Sequence, residues 1–180
     1  EDETKTVDVN KDEWKRRYHL VITAQDREGL GNLFTLIKRA YTEGFYRYPR
    51  IDFDLLKQHG KGLNVSTACL GGIFSNRIMR GNATGKTESE IQAELLQLSD
   101  RFTDAVGEEN FYLELQFNRL KQQHLVNHHL LRHADATGLK CIATPDSHYY
   151  NPNKWEAREL YKKLGWMGND PSPLPEFEDL

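Results

Sequence analysis

Cysteine is scarce: two in 180 residues, Cys69 and Cys141. That excludes a small secreted fold stapled by disulfides and makes a reduced, cytoplasmic setting the expectation. Long apolar runs are missing as well. No stretch approaches the roughly 20 residues needed to span a bilayer, and the N-terminus has no signal-peptide pattern, so no membrane partner is expected. Positive charge is not in excess. Lys and Arg number 24 against 27 Asp and Glu, a formal net charge of -3. A broad electrostatic footprint for nucleic acid is therefore not expected from this chain alone. Contact with DNA or RNA would be local, at a metal site, or made through a larger basic protein. No internal repeat is visible. Gly85-Lys86-Thr87 lacks the glycine that a phosphate-binding loop needs five positions earlier, where Arg80 stands, and no strand precedes it.

What is present is enough to build a core. Hydrophobic residues make up 38% and aromatics 11% of the chain, which suits one domain or a large part of one. Residues 1–17 are polar and charged and read as a linker or loop. Tyr18 to Ala24 reads as a first strand. Asp26 is a candidate N-cap for a helix carrying Leu30, Leu33, Phe34 and Ile37 at helical spacing. An aromatic, basic loop from Phe45 to Asp52 follows, and Asp52 caps a short helix over Phe53 to His59. Leu63 to Leu70 is a second strand, Ile73 to Met79 a short helix, and Gly81 to Gly85 a loop. Thr87-Glu88-Ser89-Glu90 has capping-box form and opens an amphipathic helix with Ile91, Leu95, Leu98 and Phe102 on one face. Phe111 to Phe117 alternates and is the third strand. A helix from about Leu120 to Ala136 and a strand at Cys141 to Pro145 complete the pattern, with a last helix opening at Asn151-Pro152. Residues 165–180 are rich in proline and acid, without periodicity, and are expected to be a flexible tail. Strands alternating with long helices imply a largely parallel α/β layer structure.

The candidate chemistry centres on Asp146 and His148. On an extended backbone, residues two apart lie on one side, so this carboxylate and imidazole would enter one pocket at a strand end. Borderline divalent metals accept such a pair. The bland alternative is a helix cap at Asp146 and a surface turn at His148. Cys69 is either a small core residue or a thiolate ligand. It falls at a strand end, as Asp146 and His148 do, and strand ends are where parallel α/β folds place their sites. Glu114 and Gln116 lie on the polar side of the third strand, where they can support a site. His124, His128, His129 and His133 form two pairs on different helix faces, with no glutamate between either pair. They are read as a solvated helix surface.

Several stretches then add up in order: Tyr18-His19-Leu20-Val21, Gly29-Leu30-Gly31-Asn32-Leu33, Ala40 to Tyr46, Pro49-Arg50-Ile51-Asp52, Ala68-Cys69-Leu70-Gly71-Gly72, Phe111 to Gln116, and Asp146-Ser147-His148-Tyr149. This series closely resembles the PHP (polymerase and histidinol phosphatase) domain found at the N-terminus of bacterial replicative DNA polymerase III α subunits. The match runs from about His19 to Leu160, with an insertion near Gly81 to Thr87.

The resemblance implies an α/β fold of a particular kind, part of a distorted (β/α)7 barrel, here about four strands with outer helices over residues 18–164 and without the N-terminal strands. It implies a cluster of divalent metal ions held by nine ligands. His19, Cys69, Asp146 and His148 match four of them by position, and the other five belong to motifs upstream of this chain. Zinc suits a Cys/His/Asp set, with manganese or magnesium as alternatives. The implied parent protein is a DNA-directed DNA polymerase, a nucleotidyltransferase, whose PHP domain acts as a metal-dependent 3′–5′ exonuclease. The fragment by itself is expected to be inactive. Cys69 would bind as thiolate, and Arg50 and Lys86 are loop cations for a substrate backbone. DNA, the remaining polymerase domains and other replisome subunits are the implied partners. Ile73 stands where many relatives have glutamate, and Phe117-Asn118-Arg119 replaces a common Asp/Asn-His-Gly, both away from the ligand set. The alternatives are a structural PHP module that braces the polymerase and its proofreading partner, and a free-standing PHP phosphatase for small phosphate esters.

Two geometric expectations follow. The sheet should be open, with an unpaired edge. Ligands of one cluster must gather at one rim, yet His19 begins its strand while Cys69 and Asp146 end theirs. His19 reaches that rim only if its strand runs against the others or if Tyr18-His19 bends over as a loop. The expectation is an antiparallel His19 strand with the ring close to the Asp146–His148 pair.

Overall fold

In the computed structural model, residues 17–165 are described. The expected linker and tail lie outside them but for Arg17 and Gly165. The chain divides into two compact units, one up to Thr144 and one from Pro145 onward. In the first unit the order is β1 (Val21–Ala24), α1 (Arg27–Thr42), α2 (Phe53–Gln58), β2 (Leu63–Ser66), α3 (Ile73–Ala83), α4 (Glu88–Val106), β3 (Phe111–Gln116), α5 (Lys121–Thr137) and β4 (Lys140–Thr144). The second unit holds a 3₁₀ turn, Pro152–Lys154, and α6 (Trp155–Gly165). The helix expected to open at Asn151-Pro152 thus begins as a tighter turn, with the Asn151 side chain accepting the Asn153 N–H.

Among the described residues the sheet has four strands in the order β1-β2-β3-β4 and does not close. β1 pairs antiparallel with β2, with Ile22 opposite Val65. β2–β3 and β3–β4 are parallel, with Val65 opposite Phe111 and Leu113 opposite Cys141. The expected antiparallel direction of the first strand, and the open sheet, are both what the chain adopts.

Period-two alternation sets the two faces of the sheet. Leu63 and Val65 of β2 and Phe111, Leu113 and Leu115 of β3 are buried against the helices, with Phe74, Ile78, Ile91, Leu95 and Phe102. Phe102 stacks on Phe111 at 4.8 Å between ring centroids and meets Phe53 edge-on at 4.7 Å, so aromatic packing locks α2, α4 and β3 together. The opposite face of β3 is polar yet also buried. Glu114 is 6% exposed and Gln116 2%.

The helix starts follow their capping residues. Asp26 accepts the Gly29 N–H at 2.7 Å and Asp52 accepts the Leu55 N–H at 2.8 Å. Thr87 and Glu90 form the reciprocal capping box that opens the 19 residues of α4. A Cβ on Gly29 would come within 1.8 Å of the Gly62 carbonyl oxygen, so α1 approaches the turn before β2 as only glycine permits.

Three expectations are corrected. β2 stops at Ser66, because Ala68 adopts φ +59° and turns the chain before Cys69. The loop expected from Gly81 is helix as far as Ala83, since buried Gly81 packs under the Ile91 side chain. On α1 only Leu33 of the periodic set packs half-buried against the core; Leu30, Phe34 and Ile37 are exposed, while Gly29, Leu36 and Ala40 face inward.

Candidate metal centre

The first unit brings His19 and Cys69 together. His19 precedes β1 and its N–H donates to the Gly71 carbonyl at 2.9 Å. After Cys69 the chain doubles back, so Gly72 runs alongside His19 in a short parallel bridge. His19 Nδ1 then lies 3.4 Å from Cys69 Sγ. Gly71 makes this possible, because a Cβ there would sit 2.9 Å from that same Nδ1.

The Cys69 turn is fixed from several sides. Its carbonyl accepts the Gly72 N–H at 2.8 Å and the Ser75 hydroxyl at 3.0 Å. The Gly71 N–H points at Sγ from 3.4 Å. Cys69 is half-buried and His19 exposed.

The pair suits a divalent ion in donor type and in spacing. Zinc bonds of about 2.0 Å to nitrogen and about 2.3 Å to sulfur, at a tetrahedral angle, put two such donors about 3.5 Å apart. Among the described residues, no group of three or more His, Cys, Asp or Glu converges as a metal-holding set.

Asp146 and His148 belong to the second unit. β4 ends at Thr144, and Asp146 has φ +50°, a left-handed conformation that aspartate tolerates. The extended backbone assumed for these two residues is therefore not present at Asp146. His148 Nδ1 donates to the Asp146 carbonyl at 2.7 Å, which fixes the tautomer and leaves Nε2 as the free ring nitrogen.

A cavity of about 510 Å³ opens beside His19. Arg17, Tyr48, Arg50 and Phe53 are among its walls. The Arg17 guanidinium lies 3.4 Å above the Tyr48 ring, and that of Arg50 5.1 Å from the Tyr46 ring. Lys86 is not part of this wall. It pairs with Glu94 of α4.

Behind Cys69, Glu114 binds three strands at once. Its Oε2 accepts the Ser66 hydroxyl, and its Oε1 accepts Thr144 Oγ1 at 2.5 Å and Gln116 Nε2 at 3.2 Å. The Ala68 backbone N–H adds to the favourable electrostatics of this carboxylate. Burial pushes the Glu114 carboxyl up, but these donors outweigh it and hold its pKa below the ordinary carboxylate value. Ser66, Ala68 and Thr144 were not singled out from the sequence. The available signal was the short hydroxyls at strand ends next to a strand glutamate.

The four histidines of α5 do not form a solvated surface as a set. His124 and His128 are exposed, whereas His129 and His133 are 6% and 1% exposed. His133 packs between α4 side chains, with Nε2 2.9 Å from Ser99 Oγ and Nδ1 3.2 Å from Gln92 Oε1.

An α/β chain with a nitrogen–sulfur donor pair at the rim of its sheet is the class defined by this geometry. The family follows from comparison: residues 5–118 match the PHP domain model, and the chain belongs to that family. It is 39% identical over 161 residues to the DNA polymerase III subunit alpha of Aquifex aeolicus, covering 89% of this chain. It is 35% identical over 153 residues to that of Helicobacter pylori and 34% identical over 158 to that of Chlamydia trachomatis, covering 84% and 79% of this chain. The chain spans only 12–13% of the length of these relatives. Among the described residues no helix is long and apolar enough to cross a membrane.

Proposed function

We propose that the chain is part of the PHP domain of a replicative DNA polymerase III α subunit, and that the complete domain hydrolyses phosphodiester bonds at a 3′ end. The observation that carries this reading is the approach of His19 Nδ1 to Cys69 Sγ at 3.4 Å, in a chain whose relatives bear that polymerase name.

His19 and Cys69 would hold a divalent ion, zinc by donor type, with Asp146 and His148 as further ligands and the rest supplied from upstream. Ions bound there supply a strong nucleophile from water near neutral pH and offset the charge that grows on the phosphate. His19 presents Nδ1, because its backbone N–H is fixed on Gly71 and its ring lies over the Gly71 Cα. Arg17 and Arg50 bring cations to the cavity beside it, suited to the backbone of a DNA strand. Glu114 and Gln116 stand behind the ligands. DNA, the remaining polymerase domains and other replisome subunits are the partners in this reading, in the cytoplasm.

The test uses the full-length polymerase polypeptide that carries this segment. Release of a labelled, mispaired 3′ nucleotide is measured with metal content by mass spectrometry, and polymerisation serves as the control. His19→Ala and Cys69→Ala are each expected to lower release about 100-fold and to lower metal content, with polymerisation retained. Release unchanged in both variants would remove the pair from the chemistry and leave a domain that only braces the polymerase.

A further inference from the structure

We propose that Glu114 is a positioning residue: its buried carboxylate clasps the ends of β2, β3 and β4 and holds the turn that presents Cys69 to His19. This rests on reading Cys69 as a site residue.

Glu114 is an anion taken out of water with no cation to meet it, since no described lysine, arginine or histidine forms an ion pair with it. A buried charge of this kind persists only where enough donors replace its hydration. Here the donors are Ser66 of β2, Gln116 of β3 and Thr144 of β4. The Glu114 N–H in turn donates to Thr67 Oγ1 at 2.9 Å, and the Thr67 N–H to the Tyr112 carbonyl at 3.1 Å. Ser66 and Thr67, the two residues before Ala68, are thereby tied to β3.

The position of Ala68 gives the clasp its direction. At φ +59° it is in the left-handed region, which costs a residue with a Cβ about 1 kcal/mol or more. Cys69 is the next residue, and the two residues before Ala68, Ser66 and Thr67, are both fastened on Glu114. The clasp therefore ends at the one backbone step that turns the chain out of β2 and aims the thiol across to His19. A neutral residue at 114 would leave the Ser66 and Thr144 hydroxyls and the Gln116 amide competing for one good acceptor, and the strained step at Ala68 would be free to relax.

The experiment reads Cys69 directly and without metal. In the full-length polypeptide, the alkylation rate of Cys69 by iodoacetamide is followed by peptide mass spectrometry at fixed pH in a chelator, with Cys141 as internal reference. Glu114→Gln is expected to speed Cys69 modification about fivefold or more while leaving the Cys141 rate and the far-ultraviolet circular dichroism unchanged. Adding Ala68→Gly, which adopts the left-handed turn without strain, should bring the Cys69 rate most of the way back. Ser66→Ala keeps the charge and removes one donor, and should act in the same direction with smaller amplitude even if Glu114→Gln does not fold. Equal acceleration at both cysteines, no change at Cys69 in either variant, or no restoration by Ala68→Gly would overturn the proposal.

Cobalt(II) alone, added to the chelator-free protein, separates this result from the metal reading. A thiolate charge-transfer band that Cys69→Ser abolishes supports the metal reading and should weaken in Glu114→Gln. Its absence from the unsubstituted protein would remove the metal role and leave the alkylation result to decide the positioning role.

Discussion

His133 shows how a single side chain can be fixed by its neighbours. The Gln92 amide nitrogen donates to the His129 carbonyl at 3.0 Å, so its oxygen faces His133 and assigns the ring proton to Nδ1. Nε2 lies 2.9 Å from Ser99 Oγ, whose hydroxyl also reaches the Leu95 and Leu96 carbonyls. Burial lowers the pKa of His133, with Asp100 opposing. Burial also lowers that of His129, helped by His128 and Arg132 and opposed by Glu88, and His129 Nδ1 has no hydrogen-bond partner. Both folded values lie below the ordinary histidine value of 6.5. As pH falls below 6.5 the unfolded chain takes up protons that the folded chain refuses, so stability is present above that pH and lost beneath it, until the folded values are passed. The slope is at most about 1.4 kcal/mol per pH unit for each histidine. Urea unfolding at pH 7.5 and 5.5 should show this loss, and His129→Gln with His133→Gln should flatten it. An undiminished loss in that double variant would mean other groups titrate. The sequence hid this pair because four histidines on one helix look alike. The helix they pack against supplies Gln92 and Ser99, and neither carries a signal that a histidine will come to it.

Among the elements, α4 was the most legible, since its capping box and its apolar residues at helical spacing mark both its start and its buried face. Thr87→Ala should cost about 1 kcal/mol, read as a lowered midpoint in thermal unfolding. No loss would show that tertiary packing alone sets the start of this helix. α1 was legible as a helix but not in its facing. Period alone selects Leu30, Leu33, Phe34 and Ile37. Leu33 packs half-buried against the core, yet Leu30, Phe34 and Ile37 are 43%, 62% and 47% exposed, because the close approach at Gly29 turns the Leu36 and Ala40 side inward. β2 was drawn too long for a related reason. The run of small and apolar residues continues from Val65 to Leu70, and nothing in it announces the left-handed step at Ala68. The donor types His19 and Cys69 were read from a resemblance, and strand direction was inferred from the need for one rim. Their 3.4 Å approach depends on Gly71, whose role no pattern announces.

At the scale of the molecule, His19 and Cys69 lie in the first unit and Asp146 and His148 in the second. On the function proposed above, the ligands within this chain should hold one ion at most, and weakly. Calorimetric titration of the 180-residue chain with zinc is expected to show no tight multi-ion binding, and a labelled primer should survive incubation with it. Robust nuclease activity from this chain alone would mean that its catalytic centre is elsewhere.

The order of strands in the sheet is also their order in the sequence. During synthesis, every strand after β1 therefore emerges from the ribosome to find its neighbour already made. The stretch between Ser66 and Phe111 takes a few seconds to appear at about 5–20 residues per second, while a helix forms in about a microsecond. α3 and α4 can thus be in place over β2 before β3 arrives. Among the described strands, the growing edge of the sheet is the youngest strand, and none of β1 to β4 must be inserted between two that are already joined.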